Sequence, residues 1–241
     1  MENWFGGTAH EGFTLFSTGH IFMIILYFVV LIALLYSYKK ATANPSFRRT
    51  LRWSFAGFLL FLEITYQTWM VANDMWHPSH SLPLQICSLA FILAAIALVT
   101  LNKSMIVLTF FLGFIPAGLT IITPELNFDF PHYRYWHFFL QHIVLSLVSL
   151  YLVLAHKVKI TFKTTMAAFG ALLLYALVIG VFINPMFGGN YLFLSDSPEN
   201  ETLINFLGTG VIYIVNLVIA GFVVFLISFG IYKMVIRRSE G

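Results

Sequence analysis

Cys87 is the only cysteine of this 241-residue chain, and it falls inside a long apolar stretch. A thiol attacks a carbonyl only as thiolate, and a thiolate is costly in a low dielectric. A neighbouring imidazole removes that cost by taking the proton as attack proceeds. His142, in another apolar stretch, could be that base. Counted inward from Leu82 and from Trp136 at about 1.5 Å per helical residue, Cys87 lies about 8 Å deep and His142 about 9 Å. Gln67, counted back from Asn73, lies about 9 Å deep, and Glu63 about 15 Å, near the midplane of a ~30 Å apolar layer. Glu63 and Gln67 share one helix face, and His142, Ser146 and Ser149 form a second polar stripe by the same spacing. Gln85 and His137 are shallower, and His20 opens the first stretch at the rim. Polar groups are expensive inside a membrane span and usually face its interior. The set therefore implies a polar cavity in the outer half of a helical bundle.

Charge and hydropathy define the elements that must position these residues. The chain is 59% hydrophobic and 10% charged, with mean hydropathy +0.86, too apolar for a soluble domain of this length. A span needs roughly 20 apolar residues. The expected spans are His20–Tyr38, Leu51–Asn73, Leu82–Leu101, Ser104–Ile122, Trp136–His156, Thr164–Ile183 and Thr209–Val235. All but one of the thirteen Lys and Arg residues fall in alternate gaps: Lys39 to Arg52, Lys103, Lys157 to Lys163, and the C-terminal Lys233, Arg237 and Arg238. The remaining gaps carry Glu2, Glu11, Asp74, Glu125, Asp129, Asp196, Glu199 and Glu201, with Arg134 the exception. The positive-inside rule then places the N-terminus outside and the C-terminus in the cytoplasm. The expected fold class is all-α, one seven-helix transmembrane domain over residues 1–241 in the cell membrane. No cleaved signal peptide is expected, because the first residues lack a basic n-region. The net charge of +3 averages two opposite faces and does not point to nucleic acid.

The outer connections are long. Residues 184–208 combine turn residues with two apolar patches, Tyr191–Leu194 and Leu203–Leu207. A solvated loop does not need such patches; they could lie at the membrane interface, pack on the outer surface, or fold over the bundle as a lid. Gly113, Pro116 and Gly118 predict a kink or break in the fourth span.

Each chemical reading has a plainer one beside it. A lone cysteine on a span commonly packs as a small apolar residue. His142 could bond across the bundle to Gln67 or Ser146. Glu63 could be a protonated structural group, although an intramembrane carboxyl is by default a functional hypothesis. His77 and His80 lack matched ligands elsewhere, so no metal or cofactor is expected. A retinal Schiff base would need a lysine within the last span, where only Lys233 stands, at its cytoplasmic end.

Three blocks carry a resemblance. They are Leu82-Pro83-Leu84-Gln85-Ile86-Cys87-Ser88-Leu89; Asp129-Phe130-Pro131-His132-Tyr133-Arg134-Tyr135 leading to His142; and Gly189-Asn190-Tyr191-Leu192-Phe193-Leu194-Ser195 followed by Pro198-Glu199-Asn200. In this order they resemble the YwaF-type bacterial integral membrane proteins, a family related to eukaryotic acyltransferases that move fatty acyl groups onto ether lysophospholipids. The resemblance runs from about the first span to the start of the seventh. It implies a seven-span fold with Cys87 as nucleophile and His142 as its partner. The bacterial motif often has His where this chain has Gln85, and a Pro-Trp-rich stretch where it has Thr209-Gly210-Val211-Ile212.

The function expected from these readings is acyl transfer or acyl hydrolysis on a membrane phospholipid or lysophospholipid. Cys87 and His142 would be catalytic, and His20, Glu63, Gln67, Gln85 and Asn190 would contact the substrate. The alternative is a non-enzymatic protein that binds or transports a lipid or small amphiphile in the same cavity, with Glu63 as a proton-coupled carboxyl.

Overall fold

A computed structural model describes residues 2–8, 12–200 and 202–240. Glu11 and Glu201 lie outside the described residues, as do the side chains of Glu2, Lys40, Arg237 and Arg238. Every regular element among the described residues is helical. A short α1 (Glu2–Phe5) precedes α2 (Thr18–Ala43), α3 (Pro45–Ala72), α4 (Ile86–Thr100), α5 (Lys103–Ile122) and α6 (Tyr133–Ala155). Helix α7 (Phe162–Val178) continues through a π turn, Ile179–Ile183, into α8 (Asn184–Phe187), and α9 (Gly210–Glu240) ends the chain. The first residues of the segment assigned to the outer loop thus still belong to a helix.

Among the described residues six helical stretches are long and apolar enough to cross a membrane: Thr18–Lys39, Pro45–Ala72, Lys103–Ile122, Tyr133–Ala155, Phe162–Phe187 and Gly210–Ile236. This is a multi-pass membrane protein. The third expected span departs from the sequence reading, since α4 has only 15 residues and begins at Ile86 instead of Leu82. Its length of about 22 Å falls short of a ~30 Å apolar core. Pro83 brings no N–H to a helix start, Leu84 N–H turns back onto the Leu82 carbonyl at 2.8 Å, and Gln85 is extended. Irregular backbone at membrane depth survives only where protein satisfies it. Tyrosines do so here: the Tyr191 hydroxyl accepts from Leu82 N–H at 3.0 Å and donates to the Pro78 carbonyl at 2.6 Å. The Tyr175 hydroxyl donates to the Leu84 carbonyl at 2.9 Å.

Helix α6 is the axis of the bundle. Its apolar window is 83% buried and that of α5 61%, against 11–22% for the other candidate spans. The outer helices turn Val29 and Ile32, Leu60 and Phe61, Leu174 and Leu177, and Ile219 and Val223 to the surroundings, as hydrocarbon-facing surfaces do. Of the kink or break expected in the fourth span, the break is absent: α5 runs continuously with Pro116 inside it. Its glycines serve close packing instead. A Cβ on Gly113 would collide with Ser149 Oγ, and one on Gly118 would come within 2.8 Å of the Tyr27 hydroxyl. Small residues let membrane helices approach where water supplies no driving force. Gly113→Ala is expected to cost about 1–3 kcal/mol, read as a lowered Tm in nanodiscs. Gly170→Ala, where a Cβ meets open space, should leave Tm unchanged.

Candidate functional site

Cys87 is the second residue of α4, with Gln85 at the N-cap. It lies in the first turn, not more than a turn inside as its count from Leu82 implied. Gln85 does not cap the helix; its Oε1 accepts from Leu192 N–H of the outer loop at 2.8 Å. The N–H groups of Ile86, Cys87 and Ser88 are consequently left without an acceptor among the described residues. Such groups carry the positive end of the helix dipole and suit a thiolate or a developing oxyanion.

The polar side chain beside the Cys87 thiol is Thr120 of α5. Its hydroxyl donates to the Pro116 carbonyl at 3.0 Å, which leaves its lone pairs for the thiol. His142 makes no hydrogen bond to Cys87. Its Nδ1–H donates to the Phe138 carbonyl at 2.7 Å, which fixes the tautomer and leaves Nε2 as a lone-pair acceptor without a protein partner among the described residues. Nor does His142 bond to Gln67 or Ser146. Ser146 donates to the Phe114 carbonyl and shares a hydrogen bond with the Tyr27 hydroxyl, each at 2.9 Å.

The remaining polar residues are bonded within separate clusters that do not include Cys87. Glu63 Oε1 accepts from Gln67 Nε2 at 2.9 Å, and Gln67 Oε1 accepts from Trp76 Nε1 at 3.0 Å, so the shared helix face inferred from spacing is a bonded pair. His20 is fully buried and uses both ring nitrogens on backbone: Nε2–H donates to the Ile121 carbonyl at 2.8 Å and Nδ1 accepts from Phe16 N–H at 2.9 Å. Asn190 folds its own loop. Its Oδ1 accepts from the Ser195 and Asp196 N–H groups, and its Nδ2 donates to the Asp196 carbonyl. His77 and His80 bond to Ser79, and His80 also to the Met75 carbonyl.

One group was passed over in the sequence and stands out in space. Arg134 lies over the Tyr66 ring at 4.4 Å and the Trp69 ring at 5.8 Å. Its Nη1–H donates to His137 Nδ1 at 3.0 Å, and His137 Nε2–H donates to the Leu62 carbonyl at 3.0 Å. Among the described residues no carboxylate pairs with this guanidinium, and its one hydrogen bond is to His137, so most of its N–H donors stay open. The available signal was its place as the single cation among the acidic gaps.

The 184–208 loop is tied to the start of α4 through Leu192 and the Tyr191 hydroxyl and to Glu125 through Asn200. Tyr191, wholly buried, is gripped by Asn184, whose Nδ2 donates to its carbonyl and whose Oδ1 accepts from its N–H. Farther on, Asn200 donates from backbone N–H and from Nδ2 to Glu125. The second apolar patch, Leu203–Leu207, buries no residue, and Phe206 is 86% exposed. Burial lifts the Glu125 carboxyl above its ordinary pKa, the Asn200 bonds oppose the shift, and Glu199 adds to it. Because the folded pKa is raised, the stabilisation is present below the ordinary carboxylate range and lost as pH rises through the raised value. Hydrogen exchange around Asn200, corrected for intrinsic rates, is expected to slow as pH falls through that window, and Glu125→Gln should flatten the dependence.

Residues 15–229 match the sequence profile of the TMEM164 family. No curated protein and no solved structure matches the chain.

Proposed function

The chain belongs to the TMEM164 family, and on that footing we propose that it is a lipid acyl-transfer enzyme of the cell membrane. In this reading α4 is a seventh, shortened span and the Cys87 end of the bundle faces outward. The observation that carries the reading is the thiol in an uncapped first helical turn, where a nucleophile and backbone N–H donors share one place. Its resemblance to the acyltransferase motif points the same way.

The chemistry proceeds in two displacements. Cys87 Sγ attacks the carbonyl carbon of a phospholipid acyl ester, and its proton passes to His142 Nε2, with the Thr120 hydroxyl beside the thiol as relay. The uncapped N–H groups hold the oxyanion. Collapse expels the lysolipid alkoxide, which takes the proton back from His142, and leaves a thioester on Cys87. The hydroxyl of an acceptor lysolipid, or water, then attacks the thioester with His142 as base, and the thiol returns. Arg134, unpaired and held flat on aromatic rings, contacts the lipid phosphate through its free donors. The outer loop, bound to Gln85 through Leu192, is the lid.

The test is a covalent intermediate. Purified protein given acyl-labelled phospholipid is expected to gain a hydroxylamine-labile acyl mass on the peptide containing Cys87. His142→Ala should slow its formation by roughly 10²-fold, the usual worth of a general base. Absence of any adduct across a broad phospholipid panel would defeat the reading.

The Glu63–Gln67 pair favours a second reading, in which the same space binds a lipid or small amphiphile without covalent chemistry. There, Glu63→Gln would change ligand retention or flux while Cys87→Ser would not.

A further inference from the structure

The basic end of the molecule, opposite Cys87, contains a cleft built of cations over an apolar floor. Its smaller part, about 200 Å³, is walled by Pro45, Arg48, Arg49, Arg52, Leu101 and His156. Its larger part, about 590 Å³, shares His156 and is rimmed by Lys103, Lys157 and Lys159, with Val107, Leu108 and Ala168 below. No acidic residue lines either part. Positive residues at a span's end orient a membrane protein, but orientation needs no pocket and no buried nitrogen. Here Arg52 Nε and His156 Nε2 are both buried without a hydrogen-bond partner among the described residues. A buried donor left unpaired is costly; Arg52 Nε can only donate, His156 Nε2 donates when it carries the proton, and in the walls of one cationic cleft the two call for an anionic acceptor from outside the chain. The buried hydroxyls of Thr109, Tyr133 and Tyr135 also lack a partner, but the two unpaired buried side-chain nitrogens among the described residues both stand in the walls of this cleft.

We propose that this cleft binds a phosphate group borne on an amphiphile, independently of the chemistry at Cys87. Arg48, Arg49 and Arg52 offer planar forks that match phosphate oxygens. The lysines complete the charge, and the apolar floor between α5 and α7 takes the first part of an acyl chain. Basic pockets between membrane helices at the cytoplasmic side are suited to anionic headgroups. The phosphate could arrive on a membrane lipid or on a soluble compound, and the two sources are separable.

The protein would be placed in phosphatidylcholine nanodiscs containing a small fraction of phosphatidylglycerol, then released and weighed by native mass spectrometry. Wild-type protein is expected to retain phosphatidylglycerol at least tenfold over its share of the disc. Arg52→Gln and the exposed Arg49→Gln should each remove most of that enrichment. Lys163→Gln, a cation near this end but not in the cleft walls, should leave it intact. Should Arg52→Gln fail to fold, Arg49→Gln and Arg52→Lys carry the comparison. In a second arm, inorganic pyrophosphate is titrated against protein in phosphatidylcholine alone. A rise in Tm that Arg49→Gln abolishes, without phosphatidylglycerol enrichment, would assign the cleft to a soluble phosphate compound. No enrichment and no pyrophosphate effect, or an equal loss in Lys163→Gln, overturns the proposal. Acyl transfer need not change in any of these variants, so failure here is distinct from failure of the reading at Cys87.

Discussion

Replacing Cys87 by alanine is expected to lower acyl transfer in liposomes by about 10³-fold or more, while the protein keeps its fold. Loss of a nucleophile that forms the covalent intermediate removes the reaction path rather than one stabilising contact, so the effect on turnover is of the size seen for nucleophile deletion in hydrolases. The structural cost should be small. Cys87 is only half-buried, sits in a first helical turn, and the Thr120 hydroxyl beside it already bonds the Pro116 carbonyl. Turnover with labelled phospholipid, measured beside Tm, separates the two effects. Cys87→Ser provides a sharper comparison. A serine hydroxyl in the same place accepts the same N–H environment but is a far weaker nucleophile when its base is not in contact. If Cys87→Ala turns over at the wild-type rate, the acyl-enzyme mechanism is wrong whatever lipid is used.

The second large effect is expected at Tyr191. Its hydroxyl is the partner of both Leu82 N–H and the Pro78 carbonyl, two backbone groups preceding the short α4. Tyr191→Phe keeps the buried ring and deletes only that oxygen. A fully buried backbone group left unpaired costs about 1–3 kcal/mol; these two are part-buried, so a loss in the lower part of the summed range, about 2–4 kcal/mol, is expected, with the cost concentrated where α4 begins. Hydrogen exchange of Leu82 and the first turn of α4 should accelerate before the rest of the bundle responds. Acyl transfer should fall with it, because those N–H groups and Cys87 share the turn. Tyr175→Phe, which removes one bond to the Leu84 carbonyl, should produce about half the destabilisation. If Tyr191→Phe melts like wild type, the tyrosine clasp is not what holds the shortened helix.

The sequence and the structure agree where local chemistry settles the matter. Long apolar runs can meet hydrocarbon only as helices, and the six long candidate spans fall on the runs read from composition. The four-residue spacing of Glu63 and Gln67 put them on one helix face, where the structure shows them bonded to each other. Depth counting, by contrast, assumed that each helix begins where its apolar run begins. That assumption failed at Leu82, where Pro83 and an extended Gln85 delay the helix to Ile86. The expected substrate contacts of His20 and Gln85 likewise ignored local bonding, since His20 is spent on Phe16 and Ile121 and Gln85 on Leu192.

Glycine and arginine show the same division. A glycine in a helical run can loosen the helix or admit a neighbour, and only Ser149 against Gly113 and Tyr27 against Gly118 decide for the neighbour. Arg134 was legible as an exception to charge asymmetry, but its aromatic seat is formed by Tyr66 and Trp69 of another helix.

By itself the sequence determined that this protein is helical, apolar and divided into a basic and an acidic face, because hydropathy and charge act residue by residue along the chain. Only the tertiary structure decided which helix is the axis, which polar groups are already satisfied, and which buried nitrogens still lack a partner. Those outcomes depend on which side chains from distant segments arrive within hydrogen-bonding distance, and no spacing along the chain encodes that.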